Sequence, residues 1–280
     1  MIHTKEIRID TAQLETIREK IPASDFVNKQ YDAGTVTETQ NVLFILSTQR
    51  SGSTMLAGLL HKNSICLPHE YMQPYEYMPL LAERWACIEN GVLNKESYVR
   101  NLLQHRTYPT GWLGVNLHGS HLKFFMRMSD CLSGIQLHFV HLVREDLVAQ
   151  AVSYEIARQT GQWTTSFGQE TKPDYSFEGI KDKLESIQKQ NALIKAYLKS
   201  VSAPSKTIYY ESLIADPESI LRLLPCVTKE QTLEIDTSIK KQSTTLNAEW
   251  SERFSNEYLQ YQTERSGKLG WFKKVYSGLK

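Results

Sequence analysis

The sequence is poor in the features that several common function classes require. Cysteine is scarce: Cys66, Cys87, Cys131 and Cys226 are widely spaced and form no CxxC pair. That spacing offers neither a compact zinc site nor a disulfide framework, so buried thiols in a reducing compartment are expected. Net charge is nearly absent too. With 32 basic and 31 acidic residues the formal charge is +1, and no nucleic-acid partner is expected, because binding a phosphate backbone needs a strongly basic face. Long apolar runs are missing. The most apolar stretch, Val42–Leu46, is far shorter than the roughly 20 residues that cross a bilayer. Met1–Arg18 also lacks the apolar core of an export signal. The expectation is a soluble, cytoplasmic protein without a membrane span.

What is present suits one sizeable core. A hydrophobic fraction of 41% over 280 residues is ordinary for a globular chain and sufficient for a large α/β domain. Buried strands are expected at Asn41–Ser47, Ser64–Leu67, Gly111–Leu117, His138–Val143 and Thr207–Tyr210. Helical patterns follow from Met55, within 74–106 (broken at Asn90-Gly91), over Asp146–Thr160 and 176–200, from Asp216-Pro217, and over Glu249–Gln260. Strands alternating with helices predict an α/β fold with a mostly parallel central sheet flanked by helices. Residues 1–40 read as an N-terminal extension and 41–280 as a single domain. The polar stretch 228–248 suits a mobile loop or a dimer contact.

Two segments point to anion binding. In the first, strand Phe44-Ile45-Leu46-Ser47 feeds the polar turn Thr48–Ser53 and then a helical apolar pattern from Met55. Such a turn aims backbone N–H groups at one spot, and the helix N-terminus adds positive potential. Arg50 adds a planar cation suited to phosphate or sulfate oxygens. The bland alternative is a strand–turn–helix with a Ser or Thr N-cap. No Lys follows Gly52, so this is not the loop of a nucleotide triphosphatase or a P-loop kinase. In the second segment, Val140-His141-Leu142-Val143 ends at Arg144, and a helix carries Gln150-Ala151-Val152-Ser153. Arg144 thus stands at the carboxyl end of a strand, where open α/β sheets bind ligands.

Taken together, these segments resemble PAPS-dependent sulfotransferases, closest to the bacterial Stf0-like and LPS (Nod-factor) family. The resemblance implies a P-loop-like three-layer sandwich, the donor 3′-phosphoadenosine-5′-phosphosulfate (PAPS), the product PAP and a homodimer. It also implies that Arg50, Ser51, Gly52, Ser53 and Thr54 hold the 5′-phosphate, with Arg50 neutralising the leaving oxygen. Arg144 and Ser153 would bind the 3′-phosphate. Ile208-Tyr209-Tyr210-Glu211-Ser212-Leu213, followed by Asp216-Pro217, resembles the family's Y-E-D-L…D-P segment, which puts Tyr210 near the adenine. Arg265–Trp271 is similar to a C-terminal nucleotide-binding loop of cytosolic sulfotransferases, though it lacks an Asp.

Sulfuryl transfer needs positioned reactants, stabilised leaving-group charge and a proton acceptor. Glu70, in Leu67-Pro68-His69-Glu70-Tyr71, matches the family's P-x-E-F segment and is the first candidate base. His118, ending Asn116-Leu117-His118, is the second, at the position of the K-T-H base of cytosolic sulfotransferases. Asn116 stands where those enzymes have Lys. His121 is a backup, and His69 and His141 read as structural. No metal motif is present. The acceptor is expected to be the hydroxyl or amine of a saccharide, glycolipid or small polar metabolite such as an alkaloid. Tyr71–Trp85 and Gln159–Tyr175 are expected to line its site. A non-catalytic nucleotide-binding relative and a carbohydrate-binding module are the competing classes.

Overall fold

A computed structural model describes residues 6–33, 38–163, 172–235 and 245–277, with side chains as far as residue 264. Along the chain the elements are α1 (Leu14–Lys20), β1 (Asn41–Ser47), α2 (Ser53–Lys62), α3 (Tyr77–Arg84), β2 (Ile88–Glu89), β3 (Val92–Leu93), α4 (Lys95–Arg106), β4 (Trp112–His118), α5 (Leu122–Phe125), β5 (Gln136–Val143), α6 (Leu147–Thr160), α7 (Phe177–Ser200), β6 (Ser205–Tyr209), α8 (Tyr210–Ala215), α9 (Pro217–Leu221) and α10 (Thr245–Ser277). They divide into two compact units, Met1–Glu145 with Gln188–Lys240, and Asp146–Ile187 with Lys241–Lys280.

The first unit is built on a parallel sheet in the order β4-β1-β5-β6. β1 lies at the centre, and its unbroken apolar run is what a strand covered on both faces requires. Its side chains alternate. Val42, Phe44 and Leu46 enter one core with α3, α4, α5 and the end of α7, while Leu43 and Ile45 enter a second core with α2, α8 and α9. The result is the expected three-layer α/β arrangement. The break at Asn90-Gly91 is the turn of a small hairpin, β2 with β3, and both turn residues have positive φ (51° and 73°). Asn-Gly tolerates that conformation better than almost any other pair.

Residues of the N-terminal stretch are tied into this unit. Ile7, Ile9 and Val27 join the first core. The fully buried Arg106 donates to the carbonyls of Phe26, Val27 and Asn28 and pairs with Asp32 at 3.0 Å. These contacts satisfy both Nη groups, as a buried guanidinium requires, while its Nε has no hydrogen-bond partner among the described residues.

Two expectations are corrected. Ser64–Leu67 is not a strand. Pro68 has no N–H to give to a ladder, and the segment makes a single parallel bridge, His69 to Val115, with the Asn116 N–H donating to the His69 carbonyl at 2.9 Å. The late helix is longer than its apolar pattern suggested and runs from Thr245 to Ser277. Of the polar stretch 228–248, residues 236–244 lie outside the described residues. The second unit buries Ala151, Val152, Ile180, Leu184, Ile187, Trp250 and Phe254 as its own core. No helix among the described residues is long and apolar enough to cross a membrane.

Gly114 is the position on which the 65–70 segment depends. A Cβ there would lie 2.7 Å from Pro68 Cγ, 2.8 Å from Pro68 N and 2.9 Å from Cys66 Sγ, two of them atoms of a ring or backbone that cannot rotate away. Gly114→Ala should therefore destabilise the protein by ~1–3 kcal/mol, the usual cost of overpacking. Chemical denaturation checks this, and an unchanged midpoint would show that the segment is free to shift.

Candidate active site

β1 delivers Ser47 to the carboxyl edge of the sheet, and the chain then turns through Thr48–Gly52 into α2. Arg50 adopts positive φ (63°), as does Gly52 (91°). Gly52 is the N-cap of α2 and makes no side-chain cap, so the Ser/Thr cap of the bland alternative is absent and the first-turn N–H groups face outward from the helix end. Ser51 and Ser53 are buried, and Thr54 is exposed. The Ser51 hydroxyl is fully buried, with no hydrogen-bond partner among the described residues. Buried hydroxyls are rarely left so, which makes Ser51 Oγ a donor available to a ligand.

Arg144 meets the same loop from the end of β5. Its Nη1 donates to the Arg50 carbonyl over a long 3.4 Å, and its buried Nε has no hydrogen-bond partner among the described residues. Its guanidinium lies 4.9 Å from the Tyr210 ring centroid. Tyr210 in turn fills the space a side chain at position 52 would need: a Cβ on Gly52 would be 2.5 Å from Tyr210 Cδ2. Burial first, and the neighbouring Arg144 second, push the Arg50 guanidinium below its ordinary pKa, while Tyr210 opposes that shift. Two cations held this close favour an anion between them. Arg50, Ser51, Gly52, Arg144 and Tyr210 are thus assembled in one place. Ser153 lies half-buried on α6 in the second unit.

The other candidates gather at the end of β4. In the parallel register Ser47 stands opposite His118, so the strand that launches the loop and the strand that carries the imidazole end side by side. His118 Nδ1 is 3.5 Å from Glu70 Oε2, and His118 Nε2 is buried without a hydrogen-bond partner among the described residues. The two alternative bases are therefore neighbours. His121 stacks toward His118, with centroids 6.1 Å apart at 30°. Burial, then the His118 charge, pushes the His121 imidazole down to about 4, against the opposing pull of Glu70, so His121 is neutral at physiological pH. Asn116 is buried and accepts a hydrogen bond from the Ser47 hydroxyl at 3.2 Å. It brings no positive charge to this edge.

His69 is held by Asp25 at 3.0 Å and His141 by Asn191 at 3.2 Å, each in a packed environment. Within Tyr71–Trp85, the residues Tyr71, Met72, Met78, Leu81 and Ala82 are buried in the first core and Tyr77 packs against it, while Tyr75 is exposed. Of Gln159–Tyr175, residues 164–171 lie outside the described residues, as do the side chains of Arg265–Trp271. The backbone of the latter is helical rather than a loop.

A brace that the sequence did not disclose fixes the loop against the end of β4. Gln49 donates to Ser120 Oγ (3.2 Å) and accepts from Gln190 (3.1 Å), while Gln190 accepts from the Ser120 N–H (2.9 Å). Gly119 permits this, because a Cβ there would lie 2.8 Å from Gln190 Cβ. Gln49 stands inside the recognisable turn, but Gln190 has no local signature.

No curated protein matches the chain. Among solved structures, a sulfotransferase domain from the curacin biosynthetic pathway is 16% identical, with 66% of this chain and 72% of that one covered and a TM-score of 0.41. A sulfotransferase domain from the Synechococcus PCC 7002 olefin synthase is 15% identical, with 78% and 96% covered and a TM-score of 0.43. The family model for the Stf0 sulphotransferases matches residues 42–257. That match opens in β1, closes in α10 and takes in the loop, both arginines and the Glu70–His118 pair, and the chain belongs to this family.

Proposed function

We propose that the protein transfers a sulfuryl group from PAPS to a hydroxyl or amine of a saccharide, glycolipid or small polar metabolite, with the Glu70–His118 pair as proton acceptor. The observation that carries this reading is the in-register pairing of Ser47 with His118, which sets a polarised imidazole beside an anion-binding loop. The donor residues suit the nucleotide. Ser51 Oγ and Arg144 Nε are buried donors without partners, and the α2 N-terminus is uncapped. Bound PAPS supplies the sulfuryl group together with a phosphate leaving group.

The chain's own residues do the rest. Arg50, the Ser51 and Ser53 hydroxyls and the first-turn amides hold the 5′-phosphate and stabilise the charge that grows on it. Arg144 takes the 3′-phosphate, and Tyr210, fixed between Gly52 and Arg144, offers its outer face to the adenine. For Ser153 the assignment rests on the Gln-Ala-Val-Ser motif alone. The Glu70 carboxylate orients the His118 ring, and the pair removes the acceptor's proton as the acceptor attacks. Asn116 is neutral and brings no second cation to this edge. That favours one further reading, a relative that binds the nucleotide without turnover.

Arg50→Ala and Arg144→Ala should each weaken PAP binding by ~1.5–3 kcal/mol, the scale of charged hydrogen bonds, as measured by calorimetry with adenosine monophosphate as control. Unchanged affinity removes that residue from the site.

Glu70→Gln and His118→Gln should each lower turnover by roughly 10²–10⁴-fold while PAP binding holds. The double variant should be little worse than the poorer single variant, because groups acting as one unit are not additive. Multiplicative losses would show two separate roles, and normal turnover in both singles would end the proton-acceptor reading. Absence of any turnover in the parent chain, with PAP bound, would favour the non-catalytic relative.

A further inference from the structure

Glu70, His118 and His121 each bring one ligand atom to a common point, with all three atoms within 4.8 Å of one another. Two imidazoles and one carboxylate form a nitrogen–oxygen donor set that leaves coordination positions open. This chemistry suits a borderline divalent ion such as Zn²⁺ or Co²⁺, whereas Mg²⁺ and Ca²⁺ favour oxygen ligands throughout. A tetrahedral ion needs its ligand atoms about 3.2–3.5 Å apart, given bond lengths near 2.0–2.2 Å. The Glu70–His118 contact is already 3.5 Å, so only His121 has to turn inward.

The scaffold holds these groups in place. His118 ends β4, held in register along β1, and His121 closes the single turn Gly119–His121, pinned through the Ser120 N–H to Gln190 and by Gly119 seated against that residue. Glu70 comes from the separate segment anchored by the His69–Val115 bridge. His118 is only 7% exposed, and its Nε2 has no partner among the described residues, so Nε2 is available to carry the ring proton when Nδ1 is the ligand.

We propose that Glu70, His118 and His121 form a binding site for a divalent transition metal of the Zn²⁺ class, and that the bound ion blocks the acceptor side of the site. With the ion on the Nδ1 that faces Glu70, the neutral ring carries its proton on Nε2, so metal occupancy and proton acceptance at Nε2 exclude one another. The inhibitory consequence rests on the proton-acceptor reading above; the metal site itself does not.

The test is a titration of the metal-free full chain with Co²⁺, followed by its visible absorption. One equivalent should give the bands of four- or five-coordinate cobalt, which Zn²⁺ bleaches and Mg²⁺ leaves unchanged. His121→Ala and, independently, Glu70→Gln should weaken the titration by more than the ~10–100-fold that loss of an outer partner costs, since each removes a direct ligand. Circular dichroism confirms that both variants are folded. No cobalt band in the parent chain, or the same band in both variants, overturns the site. PAP binding measured on the same samples separates the two readings. Nucleotide bound with no cobalt band sinks only the metal site, and a cobalt band without nucleotide binding sinks only the donor site. In a turnover assay Zn²⁺ should inhibit and a chelator should restore the rate; a rate unaffected by saturating Zn²⁺ removes the proposed block.

Discussion

The parallel, in-register pairing of β1 with β4 is the constraint from which the candidate site follows. Because Ser47 stands opposite His118, whatever leaves β1 must turn beside the end of β4. A shift of one residue would reverse every side chain on β1 and exchange its two apolar faces between the two cores. Burial on both faces therefore protects the register, and the register protects the site. The same economy operates at Glu70. Its segment is no strand, yet the bridge from His69 to Val115 and the bare Cα of Gly114 allow it to run close along β4 and bring the carboxylate within reach of the imidazole.

Electrostatics explain why the loop needs so many supports. Arg50 and Arg144 carry like charge and are partly withdrawn from water, and burial is the larger of the two influences lowering the Arg50 pKa. The fold holds them together through elements that have no freedom to separate: the end of β5, the strained turn at Arg50, and a tyrosine lodged against a glycine. Preorganised cations of this sort lose little on meeting an anion, because the cost of gathering them was met on folding. The Gln49–Ser120–Gln190 brace serves the same end with neutral groups, which can pack at the rim without adding to the repulsion.

Much of this was legible in the sequence, and for identifiable reasons. β1 appeared with its full bounds because a doubly covered strand is apolar throughout, and the Asp146 and Asp216-Pro217 helix starts appeared because caps are local. Arg50 was legible as a cation in the turn after a buried strand, and Arg144 as a cation at a strand end. Ser64–Leu67 misled because apolar burial without ladder pairing looks the same in sequence as a strand, and only the following Pro68 argued otherwise. The meeting of Glu70 with His118 was not legible, since it depends on how closely one segment approaches another across Gly114. Gln190 was hidden in the same way, as one polar residue among many on a long helix.

The cluster at the end of β4 shows why a motif search for metal ligands passes over a site of this type. Metal signatures in sequence rely on ligands grouped on one helix or one knuckle, where spacing fixes geometry. Here only His118 and His121 are close along the chain, and the third ligand arrives from a coil whose course is set by proline and glycine. The arrangement that makes a good proton acceptor, a carboxylate against an imidazole with a spare nitrogen and shelter from water, is also the start of a good transition-metal ligand set. The two uses differ in what is added to the pair. A positive side chain at position 116 would repel a cation and favour the developing charge of a transferring group, whereas the neutral Asn116, turned toward Ser47, leaves that repulsion out. The substitution that sets this chain apart from the lysine-bearing pattern is therefore the same one that leaves its acceptor side open to a metal ion.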